Sequence, residues 1–323
     1  MVNITGKVLR ILPFRELKVA NENKKVIDLI IADEFDYKRV SFWDEKAELV
    51  IRGEIKAGDV LRIENARVPE ESKKSGEKRA NAGKYTRITK ISSNIAALRH
   101  ANFLNLTVLA VARPEKEQVC IAGIGENGEW IRPQGVYEND IVTAGMPNFK
   151  NLCISKIYVD AWRGRRPRKE DRFFIYSEGV KRELNEEEKR EFLERNVDAP
   201  VDSVFKSGRS LGLIKPRILQ VYEEKATKKK EGKSHEQYIR FNFKDSSGRI
   251  YRRWSCRCSA FYKTWNDLKS KHRWTYGLRM LKYLRKNDTY LAIGLTYTDY
   301  GGDRLEYGAY PLIVGVHVVP TRA

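Results

Sequence analysis

The chain has 323 residues, 41% hydrophobic and 33% charged, with a formal net charge of +19. That much apolar material supports packed cores and excludes a wholly disordered chain, and the length suits two or three domains. A charge so far from zero attracts polyanions, so DNA, RNA and anionic membrane surfaces are the candidate partners.

No apolar run approaches the ~20 residues that span a bilayer. The opening Met1–Lys7 lacks the apolar stretch of a secretory signal. A cytoplasmic protein without membrane contact is expected. Only three Met stand beside abundant Lys and Glu, a bias seen in hyperthermophile proteomes.

Five short strands are predicted in the first hundred residues: 4–11, 25–32, 38–43, 60–68 and 85–91. Asp33–Asp36 is a turn signal, residues 44–55 form a short segment after the third strand, and residues 69–84 read as a polar hairpin loop. Five strands broken after the third describe a small closed barrel. Alternation along the third strand turns Val40 and Phe42 inward and Arg39, Ser41 and Trp43 outward.

The order "DLIIADE", "RVSFW", "IKAGDVLRIENARV", "NAGKYTRITKI" resembles the OB-fold of archaeal single-stranded DNA-binding proteins and replication protein A, over residues 3–92. In that family bases stack on aromatic side chains facing out of the barrel, and Trp43 occupies such a position. Stacking tolerates any base, since every base has a π-face. Where the family often carries a second stacking Trp after "IENA", this chain has Arg67, a plane that can stack on a base or pair with phosphate. Lys84, in the loop that OB-folds use to clamp a strand, joins Arg39, Trp43 and Arg67 as a candidate contact.

Residues 93–104 read as a linker or connecting helix. Beyond them, strands are predicted at 106–113, 119–124, 130–133, 152–159 and 172–176, then a helix at 186–195. Further strands follow at 216–222, 237–243 and 250–255, then a helix over 259–286, then strands at 289–297 and 311–319. Three strands, a helix and two strands is again the OB order. The expected fold is therefore mostly β, tandem OB barrels over 1–92, 105–200 and 201–323. "WIRP", "DRFF", "SLGLIKP" and "YPLIVGVHVVP" resemble the prokaryotic dual OB-containing domain, a likeness that implies no activity.

Most of the excess positive charge lies beyond residue 100, clustered beside aromatics. The clusters are Trp162, Arg163, Arg165, Arg166 and Arg168; Arg252, Arg253, Trp254 and Arg257; and Lys271, Arg273 and Trp274. Cations neutralise phosphates and aromatics accept bases. The alternative is an aromatic core edge flanked by snorkelling Arg and Lys, above all at Trp254.

P-loop, nucleophile-elbow and H-E-x-x-H motifs are absent. Cys120 and Cys153 read as core residues, and the lone Cys256–Cys258 pair lacks the partners of a zinc site. No catalysis, metal or cofactor is expected. Carboxylates for a metal nuclease could come from Glu170–Asp171 or Asp299–Asp303. Three functions remain open: a non-catalytic binder of single-stranded DNA or RNA, a scaffold whose N-terminal barrel holds a protein partner, and a nuclease.

Overall fold

The structure, a computed structural model, describes residues 1–115, 118–143, 145–160, 168–225, 237–296 and 305–322. It is mostly β and forms two compact units. Unit 1 is Met1–Phe103 with Ile157–Trp162 and Phe173–Ser177; unit 2 is Leu104–Lys156, Arg163–Arg172 and Glu178–Ala323.

In unit 1, β1 (Val2–Ile11), β2 (Arg15–Val19), β3 (Glu22–Ala32) and β4 (Tyr37–Trp43) precede α1 (Glu45–Ile51). Then come β5 (Val60–Ala66), α2 (Glu70–Ser75), β6 (Arg79–Ala82) and β7 (Arg87–Lys90). The sheet runs β6-β4-β3-β1-β5-β7, with β2 paired to β3. β6 lies parallel to β4, and β7 is antiparallel to β5. Taking β6 and β7 as two pieces of one fifth strand, this is the OB order, with a helix after the third strand. Val8, Leu29, Ile31, Val40, Phe42, Leu61 and Ile63 fill the barrel. Gly6 lets β1 curl tightly against the end of its neighbour β3, since a Cβ there would lie 2.7 Å from the Ala32 carbonyl oxygen.

Three expectations change here. The predicted loop 69–84 contains α2 and β6, because Ala80 and Ala82 are small enough to close the barrel end against β4. Ser41 is buried although it faces outward. Residues 93–104 are neither helix nor free linker. Leu98 is buried and its N–H donates to the Asp33 carbonyl at 2.7 Å, while the His100 ring stacks on Phe35 at 5.0 Å. The predicted turn has a clear cause: the Asp33 carboxylate accepts from the N–H groups of Phe35 and Asp36.

β8 (Leu104–Glu115), β9 (Gln118–Gly125), β10 (Trp130–Gln134), β13 (Cys153–Asp160) and β14 (Asp171–Glu183) close a barrel in the ring order β10-β14-β13-β8-β9. Counted as strands one to five, that ring has the OB order. In place of a helix after its third strand stand a 3-10 turn (Glu138–Asp140) and the hairpin β11 (Val142–Thr143)–β12 (Met146–Pro147).

In unit 2, α3 (Glu186–Arg195) starts at a capping box between Asn185 and Glu188, and α4 (Val201–Phe205) follows. The second sheet contains β15 (Leu211–Ile214), β16 (Arg217–Lys225), β17 (Gln237–Lys244), β18 (Ile250–Cys256), β19 (Asp288–Leu295) and β20 (Pro311–Val319). Its order is β15-β19-β20-β18-β17-β16, with β18 parallel to β20. β15 and β16 are one first strand broken at Pro216, which cannot donate to a ladder. The strand therefore begins at Leu211, earlier than predicted. The predicted helix 259–286 is two helices, α5 (Ser259–Lys271) and α6 (Tyr276–Lys286).

The barrel and second sheet share one apolar core, including Leu109, Ala122, Leu211, Tyr290 and Val314. Contact is closest where β20 crosses β8. A Cβ at Gly315 would lie 2.0 Å from the Leu109 carbonyl oxygen, to which His317 Nε2 donates at 2.9 Å. Among the described residues, no helix is long and apolar enough to cross a membrane.

Candidate nucleic-acid interface

The outward face of β3, β4 and β6 divides in two. Ile30, Ala32 and Tyr37 are covered by Leu98, Phe173 and Ile175. The other half is polar. Asp28, fully buried, accepts from Ser41 Oγ at 2.6 Å, Arg39 Nε at 3.0 Å and Arg15 Nη2 at 2.6 Å. Burial raises the Asp28 carboxyl, but the Arg39 charge, the Ser41 hydroxyl and the Arg15 charge outweigh it and hold the group below its usual range. Arg79 leans on Ser41 Oγ at 3.3 Å. Asn81, opposite Ser41, has a buried Oδ1 with no hydrogen-bond partner among the described residues. Three guanidinium groups face two carboxylates here, Asp28 and Glu77, the latter 3.8 Å from Arg39 Nη1, which leaves this strip net positive.

Arg39 is thus a wall of the strip rather than an extended arm, packed at 5.6 Å over Phe173 as well. Parallel pairing of Phe42 with Ala82 sets Trp43 and the turn after β6 at the same end of the sheet. Trp43 is half-buried there, Lys84 is exposed, and Tyr85 is 82% exposed with Lys84 Nζ 5.9 Å from its ring. Arg67 is exposed and bridges to Asn81 through the backbone. Sequence reasoning missed Arg15, Arg79, Asn81 and Tyr85. The "RANA" alternation of β6 was the available signal for two of them.

The C-terminal clusters fare unequally. Trp162, Arg163, Arg165 and Arg166 lie outside the described residues. Arg168 donates to the carbonyls of Leu295 (2.8 Å) and Thr296. Arg252 is exposed, while Arg253 pairs with Glu224, which also takes Arg240 Nε at 2.7 Å. Trp254 is a correction: it is 7% exposed and packs on Phe243, Tyr251 and Phe205, so its ring cannot accept a base. The cause is a bulge. Three steps of β18, from Tyr251 to Trp254, face two steps of β17, and Arg253 takes a φ of 60°. Arg257 is half-buried against the Tyr238 ring. Lys271 and Arg273 are exposed in the α5–α6 turn, and Trp274 is 88% exposed.

The candidate nuclease carboxylates do structural duty. Glu170 accepts from the Ser210 N–H at 2.7 Å and Asp171 from Arg132 Nε at 2.7 Å, both buried. Asp299–Asp303 lie outside the described residues. Cys256 and Cys258 are buried free thiols, raised by burial. Among the described residues no three His, Cys, Asp or Glu side chains could share a metal ion.

Neither protein-family models nor curated proteins match this sequence. Among solved structures, a replication factor A related protein from Methanobacterium thermoautotrophicum is 27% identical over 28% of this chain and 79% of its own, with a TM-score of 0.23. The OB domain of Ta0387 from Thermoplasma acidophilum is 25% identical over 31% of this chain and 83% of its own (TM-score 0.23). A replication protein A heterotrimer bound to ssDNA is 10% identical over 99% of this chain and 93% of its own (TM-score 0.31). The OB assignment rests on strand order and the parallel closures.

Proposed function

We propose that the chain binds single-stranded nucleic acid, DNA in preference to RNA, through unit 1 and without chemical change to the strand. The observation that carries this reading is that strand register places Trp43, Lys84, Tyr85 and Arg67 at one end of the β4–β6 pair, along the sheet from Arg39 and Arg79. Aromatic faces stack bases while cations track phosphates. The +19 charge supplies attraction for a polyanion. The three-barrel organisation, with 105–320 as a dual OB region, belongs to the same proposal. A part in nucleic-acid maintenance in the cytoplasm follows from it.

Fluorescence anisotropy of the full chain with single-stranded DNA, single-stranded RNA and duplex tests it. Preference for one single strand is expected, with log K falling by about 0.7 per phosphate contact for each unit of log salt. A flat salt response would overturn it. Strands incubated with Mg²⁺ or Mn²⁺ are expected to stay intact.

A protein scaffold is the second reading, favoured by Trp274 and Leu278, four residues apart and 88% and 72% exposed. Unchanged strand affinity in Trp43→Ala together with Tyr85→Ala would favour it.

A further inference from the structure

Unit 2 contains a cavity of about 410 Å³, within the range of small-molecule sites. Its apolar wall includes Val119, Val136, Leu312 and Val314. Three arginines from separate segments line the rest, and among the described residues no carboxylate does. Arg132 is fixed by Asp171 and by Ser210 Oγ at 3.0 Å, and Arg168 is turned onto two backbone carbonyls. Arg257 differs. Its guanidinium is half-buried 4.9 Å from the Tyr238 ring, and it forms no ion pair among the described residues. A guanidinium partly withdrawn from water, with no carboxylate partner among the described residues and facing a concavity, is poised for an anion. Cys120, whose thiol burial pushes up, contributes a neutral surface. Gln118 and Thr296 also line the cavity and add polar character that can meet a base edge.

We propose that this cavity binds a nucleoside monophosphate, its base against the Val119–Val136–Leu312 wall and its phosphate on Arg257. The size, the apolar wall and the cationic lining fit a planar ring joined to a compact dianion. The site goes beyond the single-strand reading: it lies wholly in unit 2 and uses neither Trp43 nor Tyr85. The same chemistry is presented by a free mononucleotide and by the 5′-phosphorylated end of a strand.

The test is isothermal titration of the full chain with AMP, GMP, CMP and UMP, against adenosine and inorganic phosphate. At least one mononucleotide is expected to bind ten times more tightly than nucleoside or phosphate alone. Arg257→Gln is expected to weaken it at least tenfold, Arg257→Lys less, and Leu295→Trp to abolish it by filling the cavity. The Trp43→Ala, Tyr85→Ala double variant is expected to keep full mononucleotide affinity, which separates this proposal from the strand reading. Tighter binding of a 5′-phosphorylated than a 5′-hydroxyl oligonucleotide, lost in Arg257→Gln, assigns the site to strand ends. Equal binding of the two, with mononucleotide binding intact, assigns it to the free nucleotide. In the unmutated protein the methyl resonances of Val119, Val136 and Leu312 are expected to shift with AMP. The proposal is overturned by no binding of any mononucleotide at millimolar concentration, by unmoved methyl resonances, or by unchanged affinity in folded Arg257→Gln and Leu295→Trp.

Discussion

Arg39 on β4 reaches across to Asp28 on β3, Nε to Oδ2 at 3.0 Å, on the outer surface of the unit 1 sheet. A buried carboxylate is tolerated because both of its oxygens are answered: a serine donates to one, and two arginines converge on the other. Asp28→Asn should therefore cost about 3 kcal/mol, at the low end for a broken buried pair, since Arg15 is 41% exposed and can relax into water. Urea unfolding measures it. A loss under about 1 kcal/mol would show that packing alone holds the strip together.

Strand binding and core packing separate cleanly among the tryptophans. Trp43→Ala and Tyr85→Ala should each weaken single-strand binding by about 1–3 kcal/mol with little effect on melting. Trp254→Ala should do the reverse, lowering stability by about 3–5 kcal/mol through the cavity left among Phe205, Phe243 and Tyr251. Anisotropy and thermal melting on the same three proteins check both halves.

Acid should loosen unit 2 through His317. Burial lowers this imidazole from 6.5 to about 4, and its neutral form donates to Leu109. The unfolded chain then binds more protons between those two values. The stabilisation is complete above pH 6.5 and is lost as pH falls from 6.5 through 4, about 3 kcal/mol in all. His317→Gln should flatten the stability profile across that window, measured by denaturant unfolding from pH 7 to 4. A parallel profile in the variant would assign the acid sensitivity to other groups.

Gly315 bears on the same crossing. An alanine methyl there meets the Leu109 carbonyl at 2.0 Å and the Ala292 Cβ at 3.0 Å, and neither neighbour is a flexible side-chain end. Gly315→Ala should cost about 3 kcal/mol or prevent folding, whereas Gly128→Ala, with open space around it, should cost only the strain of a positive φ. Melting temperatures of the two variants decide it.

Much of the architecture was legible because period-2 alternation and turn chemistry agree. The Asp33 turn is an example, and the strand predicted over 25–32 lies within β3, where Val26–Ala32, apolar except for Asp28, is buried on both faces. β6 was not legible. Alanine and asparagine carry weak strand preference, and its place is set by the parallel partner β4. The α5–α6 break has neither Gly nor Pro between His272 and Thr275 to announce it. At the candidate site, Trp254 and Trp274 look alike in sequence, each beside arginines. A bulge at Arg253 turns one inward, and bulges leave no spacing signature.

Unit 1 is not contiguous along the chain. Phe173 and Ile175 cover Ile30 and Tyr37, and the Phe174 carbonyl accepts from Arg10 Nη1 at 2.7 Å. During synthesis the first barrel must therefore wait, with an apolar flank bare, until residues past 177 leave the ribosome. A gene fragment cut at residue 103 would carry that bare flank permanently and would be prone to self-association. The barrel could be transplanted into another protein only together with the segment that seals it.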